Sequence, residues 1–543
     1  MINLDALTLK LFLEENKEYF IGAKVQKVQQ PNRSELIFTM RNNGESKKLY
    51  INFNPSFYHI CFMSKENEQR RNITIPKTAP MFCMLLRKYI QNAKIINIDI
   101  PQYERIFEIY FEYYDELNEK SQLCLAIELM GKHSNVILYN YDTNVIIGCA
   151  HNVSSEKSRE RELYGLLPYI YPPKQKKKNL LRTTFETFKE NIEAENIAQS
   201  ISSKYHYLTM SFVEDMIASI KPFSIDILYK NLIEFLSKKE YKAYLLDDCS
   251  KYYLLKMDNC HEEENINSMI DNYFSYHQEK TIISNIKSKI AKHISTQLTR
   301  LNTLKIKQEQ QIEKLDKALN YKNKADILMA NLYAIKQGLK QVKLYDFEGN
   351  EITIDLDENK TPTENANKYY SLYKKTKKAY ELAIEMIKET NSQILYYEEE
   401  KYFTEQTDSI IDLNDIYSAL IDEKPIKEDK QTQIDFVECE GLKIYIGKNK
   451  KQNDYILSKL SSPEDLWFHP LNFAGAHILV KLNNQKEEVS DNILLKAAEL
   501  TKEYSSQKNN SKTSIIYTKR KYVKKANNKL AFVTYKNESE IVI

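Results

Sequence analysis

The sequence predicts an α+β protein of several domains with a long antiparallel coiled-coil arm in its second half. Three observations lead there. At 543 residues the chain exceeds what one hydrophobic core usually serves. Short runs of alternating apolar and polar residues fill its first third, as half-buried strands do. Two stretches of heptad-like spacing flank a hairpin signal between residues 281 and 405.

Residues 1–173 read as a short helix followed by strands, for example 36–40, 49–53, 106–111 and 136–139, which makes an N-terminal α+β domain. PMFCMLLRK, from Pro80, has near-helical apolar spacing and closes on basic residues, as helix C-termini prefer. LLPYIYPP followed by Lys174, Lys176, Lys177 and Lys178 marks a domain boundary. Residues 180–275 read as a small helical module.

From residue 281 a register of alternating four- and three-residue steps runs through Ile294, Leu298, Leu301, Lys305, Gln308, Ile312, Leu315 and Leu319. A weaker run repeats the period through Tyr373, Lys377, Tyr380, Ile384, Ile387, Asn391, Ile394 and Glu398. Between them Val342, Leu344, Ile352 and Ile354 alternate around Gly349, so a β-hairpin tip is expected near 339–356. A hairpin between two helices favours an intramolecular arm over parallel dimerisation. A charged connector over 408–430 then leads to a C-terminal α+β domain over 436–543, with closing strands near 530–535 and 541–543.

Composition narrows the function. Only 10 glycines occur, so glycine-rich phosphate loops have little material, and no GxxxxGK[ST], HExxH, GxSxG or dinucleotide fingerprint is present. Neither a catalytic centre, nor a cofactor, nor a metal is expected. Seven cysteines without a CxxC pair, no basic and apolar leader, and no apolar run of about 18 residues favour a cytoplasmic protein. Net charge is only +3, yet residues 436–543 carry 18 Lys and Arg against 12 Asp and Glu, or +6, which leaves −3 for the rest. Within them, residues 508–529 hold eight basic side chains and no acid, a patch able to neutralise phosphates. The lone Trp467 reads as a core residue.

Five segments, PMFCMLLRK, IELMGKHSNVIL (127–138), ANLYAIKQG (330–338), YIGKNKKQND (445–454) and DLWFH with GAH (465–469, 475–477), resemble in order the NFACT-domain family, which includes bacterial RqcH and proteins labelled fibronectin-binding. The resemblance implies an N-terminal NFACT domain, a helix-hairpin-helix-like module, a coiled-coil arm and a C-terminal NFACT-R domain. It implies a ribosome quality-control factor that binds large subunits still carrying peptidyl-tRNA. Such a factor recruits tRNA, expected to be alanyl-tRNA, for untemplated C-terminal tailing, with the ribosome forming the peptide bonds. RqcP is an expected companion, and a monomer is expected on the ribosome.

The family's Asp-Arg pair aligns with Glu104 and Arg105; with Lys132, His133, Ser134 and Asn135 at the turn after Gly131, these are the expected tRNA-binding residues. Lys519, Arg520, Lys521, Lys524, Lys525, His469 and His477 are the expected rRNA contacts. Gly475-Ala476-His477 replaces the family's Gly-Ser-His. A distant likeness to DNA glycosylases with an N-terminal catalytic proline fails, because Ile2 and Asn3 follow Met1. A surface adhesin and an RNA-free coiled-coil scaffold are the rival readings.

Overall fold

A computed structural model describes residues 4–101, 104–114, 119–156, 158–193, 195–238, 240–318, 320–421, 434–482, 489–525 and 532–543. Met1 to Asn3, Gln102, Leu319, the connector beyond residue 421, Lys529 and the start of the strand expected at 530 lie outside them. The chain divides into two compact units, Met1–Thr281 and Ile282–Ile543.

In the first unit α1 (Ala6–Phe20) starts at Asp5, whose carboxylate accepts from Thr8 N at 2.8 Å and caps the helix. There follow β1 (Lys24–Gln29), β2 (Glu35–Asn42), β3 (Glu45–Asn52), β4 (His59–Met63), α2 (Lys65–Arg70), α3 (Met81–Ile90) and β5 (Lys94–Asp99). The antiparallel sheet is completed by β6 (Ile106–Tyr114), β7 (Lys120–Glu128), β8 (Asn135–Asn140) and β9 (Val145–Cys149), in the order β4-β3-β2-β1-β5-β6-β7-β8-β9. Strand alternation sends Phe107, Ile109 and Phe111 into the main core with Phe12 and Phe20. It sends Ile106, Glu108 and Tyr110 to the opposite face, beneath Tyr169 and Tyr171.

The module after residue 180 holds α4 (Phe185–Glu190), α5 (Ile197–Lys204), α6 (Met210–Ser219) and α7 (Ile225–Ser237). It is not wholly helical. β10 (Ala243–Leu246), β11 (Tyr252–Tyr253) and β12 (Cys260–Glu263) form a small sheet whose strands are too short to show an alternating pattern. The long helix α8 (Ile266–Ala318) also begins well before residue 281, because Ile266, Met269, Ile270, Tyr273 and Phe274 are spaced to bury in the N-terminal core rather than in a heptad seam. Arg71 and Asp271 pair at 2.6 Å in that core, with side chains 0% and 2% exposed.

In the second unit α8 and α9 (Tyr321–Ala330) lead to a hairpin of β13 (Gln341–Tyr345) and β14 (Glu351–Asp355), and α10 (Pro362–Gln406) returns. A capping box between Thr361 and Glu364, with proline at the first turn, starts α10. Of the first register Ile294, Leu301 and Gln308 are buried, while Leu298, Lys305, Ile312 and Leu315 are partly exposed. On α10 the buried positions include Ala383 and Thr390, while Lys377, Asn391 and Glu398 are exposed, so the face lies one residue from the expected register. Small side chains carry it there, and large apolar ones misled the count.

The connector is also more structured than expected. α11 (Ile410–Leu420) buries Ile410, Leu413, Ile416 and Leu420, and packs with Ile290 and Ile294 of α8. The C-terminal sheet is formed by β15 (Asp435–Cys439), β16 (Leu442–Ile446), β17 (Leu466–Pro470), β18 (Ile478–Lys481), β19 (Ser514–Lys519) and β22 (Ser539–Val542), in the order β15-β16-β18-β17-β19-β22. One face buries α13 (Asp491–Glu503). The other covers α12 (Lys450–Tyr455), a π-helical turn (Ile456–Leu460) and Trp467, and the short β20 (Lys524–Lys525) and β21 (Val533–Thr534) pair with each other beside it.

Candidate nucleic-acid interface

Because Ile106 pairs with Glu128, the residue that precedes β6 sits beside the turn that follows β7. Leu129 N donates to the Arg105 carbonyl at 2.8 Å. Gly131 takes φ +62, a left-handed conformation that suits glycine, and a Cβ there would lie 4.0 Å from the Tyr58 ring. Arg105 Nη1 donates to the Tyr58 hydroxyl, and its guanidinium lies 5.3 Å from the centre of that ring. Arg105 and the Gly131 turn, separate in sequence, thus meet around one tyrosine. Lys132 and His133 are exposed there.

Ser134 and Asn135 are buried instead of presented to solvent, since they hold the turn. Ser134 Oγ accepts from Met130 N at 2.9 Å; Asn135 donates to the His151 carbonyl at 2.8 Å and accepts from His151 N at 3.0 Å. Glu104 points away from Arg105, as alternation requires, and is 6% exposed. Its two oxygens accept from Gln175 N at 3.2 Å and Gln175 Nε2 at 2.8 Å. Glu104 therefore positions the segment after the first domain and presents no free carboxylate.

His469 and His477 are also buried. Trp467 and His469 stack at 5.5 Å with planes 6° apart, and His477 meets both edge-on at 5.3 Å. Burial lowers the His469 imidazole to about 4 and raises the Glu399 carboxyl to about 7, with Glu399 Oε1 at 3.8 Å from His469 Nε2. Beside them Lys450 and Glu400 form a buried pair at 2.6 Å. The motif glycines serve this core: a Cβ at Gly447 would fall 2.0 Å from Asn453 Oδ1, the acceptor for His477 N at 3.1 Å. The YIGKNKKQND and GAH motifs thus build one packed junction. Glu399 favours the folded state fully below the ordinary carboxylate range, and that contribution is lost as pH rises through about 7. Buried His469 acts in the opposite sense over an overlapping window, so thermal melts of Glu399→Gln should rise more steeply with pH between about 4 and 7 than those of the wild type.

The basic tail divides. Arg520 turns inward: Nη2 and Nε donate to the Leu457 carbonyl at 2.7 and 3.2 Å, and Nη1 to the Val523 carbonyl at 2.7 Å, closing the π-helical turn. Lys519, Lys521, Lys524 and Lys525 are exposed. Glu464 pairs with Lys519 and Lys521, each at 2.8 Å, and Asp454 with Lys525 at 2.5 Å, so the patch is less positive than its sequence suggests. Replacing these four lysines by alanine, with Arg520 kept, should lower the salt slope of binding to an RNA probe by about one for each lysine on a phosphate. An unchanged slope would identify ordinary solvated surface.

Among the described residues no helix is long and apolar enough to cross a membrane. Residues 5–435 match the family model for NFACT N-terminal and middle domains, and residues 433–534 that for the NFACT protein RNA binding domain. The chain is 26% identical over 566 residues to the Rqc2 homolog RqcH of Bacillus subtilis, covering 97% of this chain and 95% of that protein. It is 26% identical over 555 residues to the Rqc2 homolog RqcH of Streptococcus suis, covering 99% and 98%. The N-terminal structure of the fibronectin/fibrinogen-binding protein from Streptococcus suis, at 26% identity and TM-score 0.43, covers 50% of this chain and is itself covered completely.

Proposed function

The chain belongs to the NFACT family, and from that premise we propose that it is a ribosome-associated quality-control factor of the cytoplasm. In this reading it binds obstructed large subunits carrying peptidyl-tRNA and recruits tRNA, alanyl-tRNA foremost, so that the ribosome extends the stalled chain without a template. RqcP assists, and the factor works as a monomer. The match of an RNA-binding domain at the end of a chain similar throughout to RqcH proteins carries the proposal.

Arg105, Lys132 and His133 offer a planar fork, an ammonium and an imidazole on one surface patch, a set suited to phosphate and unpaired bases. Glu104, Ser134 and Asn135 act by holding that patch in place. In the second unit Lys519, Lys521, Lys524 and Lys525 supply the rRNA contacts, while Arg520, His469 and His477 fix the fold that presents them. Purification of the tagged protein from its host, with sequencing of the bound RNA, tests the assignment. Large-subunit rRNA with one dominant tRNA species is expected; its absence, with an extracellular protein recovered instead, would favour the adhesin.

The domain limits proposed are 1–173, 180–275, 281–405 and 436–543, with the arm acting as a long-reach ribosome contact. α11 against Ile290 and Ile294, and Glu399 and Glu400 against the C-terminal domain, mean that the arm's base belongs to the body of its unit. Removing residues 305–388 and joining the ends by a short linker should leave both units folded and weaken cosedimentation with large subunits. Undiminished cosedimentation would refute the role of the arm.

A further inference from the structure

A cleft of about 300 Å³ in the first unit lies between the start of α1, α6, β11 and α8. The run Lys251 to Leu254 lines it together with Asp5, Phe212, Asp215 and Tyr273. Its aromatic walls are braced. Tyr252 and Tyr273 meet edge-on at 4.9 Å, and the Tyr252 hydroxyl donates to Asp5 Oδ2 at 2.7 Å. The Asp215 side chain is 15% exposed, and its Oδ1 accepts from Lys251 Nζ at 2.7 Å. That ammonium also lies 4.5 Å from the centre of the Tyr253 ring.

Two polar atoms here are left over. Among the described residues nothing hydrogen-bonds to Asp215 Oδ2, nor to the Tyr273 hydroxyl, although Tyr273 is only 7% exposed. Burial pushes that hydroxyl up to about 12, so it stays neutral and free to accept. Asp5 and Asp215 against Lys251 leave the cleft a net charge of −1. Such walls attract a cation, since tyrosine faces also hold positive charge. A guanidinium makes its paired bonds to both oxygens of a carboxylate, and Lys251 already holds one of them. A quaternary ammonium has no N–H for either unpartnered atom, whereas a primary ammonium has three. The volume, at the lower end of the roughly 300–1,000 Å³ of ligand clefts, admits that group on a short alkyl chain.

We propose that this cleft binds a primary alkylammonium, with Asp215 Oδ2 and the Tyr273 hydroxyl as its acceptors and the tyrosine rings around its charge. Lys251 shows the arrangement in miniature, its own ammonium resting on Asp215 and Tyr253. Like-charge repulsion from Lys251 then sets how tightly the incoming amine is held. The class includes free diamines and polyamines, and the lysine side chain of a peptide. Asp215, Lys251 and Tyr273 lie outside the candidate RNA patch, so the inference stands apart from the tRNA-recruiting reading.

The test uses the full chain without RNA and follows diaminobutane, Nα-acetyl-lysine methylamide and choline by ligand-observed NMR, with circular dichroism to confirm that each variant is folded. Diaminobutane should bind with a dissociation constant of about 1 mM. Asp215→Asn should weaken it by about 10- to 100-fold, and Tyr273→Phe, which keeps the ring, by about 2- to 10-fold. Lys251→Met should tighten it by about 3-fold or more, a gain that a merely structural lysine would not give. Tighter binding of diaminobutane than of the lysine derivative would assign the cleft to a free amine, and the reverse order to a peptide; either supports the proposal. Choline bound as tightly as diaminobutane would overturn it. So would affinity unchanged in Asp215→Asn and Tyr273→Phe, affinity not raised in Lys251→Met, or no binding at about 10 mM.

Discussion

Arg105→Ala is expected to abolish tRNA copurification and C-terminal tailing while leaving large-subunit binding intact. The guanidinium is half-buried at the strand edge, held by the Tyr58 hydroxyl and ring beside exposed Lys132 and His133. Truncating an arginine that anchors an interface costs at least about 2 kcal/mol, or some 30-fold in affinity. The fold should survive, since Tyr58 loses one hydrogen-bond partner, worth about 1 kcal/mol. Tailing at the wild-type level by a folded Arg105→Ala protein would sink the assignment; an unfolded one would make Arg105 a structural residue. Glu104→Asp restores the acid common in the family, and sequence alone predicts tolerance. The two bonds from Gln175 alter that expectation, because a carboxylate withdrawn by one methylene loses part of its hold on the segment after the first domain. Partial loss of tRNA binding is the expected result.

The largest stability effect should come from Arg71→Ala. Asp271, 2% exposed, accepts from Arg71 Nη1 at 2.6 Å, from Asn67 at 2.8 Å and, on its outer side, from the exposed Ser64's N at 2.9 Å. Removing the guanidinium strands a buried carboxylate, which typically costs about 3–5 kcal/mol. Urea unfolding should show the first unit losing that much, whereas the paired change Arg71→Met with Asp271→Leu should recover most of it, because two apolar side chains leave no charge uncompensated. A loss below about 1 kcal/mol in Arg71→Ala would mean that water reaches Asp271.

Where periodicity was strong the sequence was legible. The opposed directions of Glu104 and Arg105 follow from strand alternation, and the hairpin around Gly349 from four alternating apolar residues. Legibility failed where partners lie far away in sequence. Nothing local reveals that Arg520 turns in to the Leu457 carbonyl, or that Ser134 and Asn135 spend their hydrogen bonds on Met130 and His151. α11 was concealed by the charged residues around it, and the α10 face by Ala383 and Thr390, which heptad counting passes over.

Trp467, the single tryptophan, lies wholly buried against the His469 ring. The protein therefore carries its own optical probe, confined to the C-terminal unit. Selective excitation of the indole reports on that unit alone, whatever happens in the other. A protonated imidazole quenches indole emission and a neutral one does so far less, so brightness should hold through neutral pH and fall only near the His469 value of about 4. RNA docking that loosens the junction would register as a red shift of the same emission.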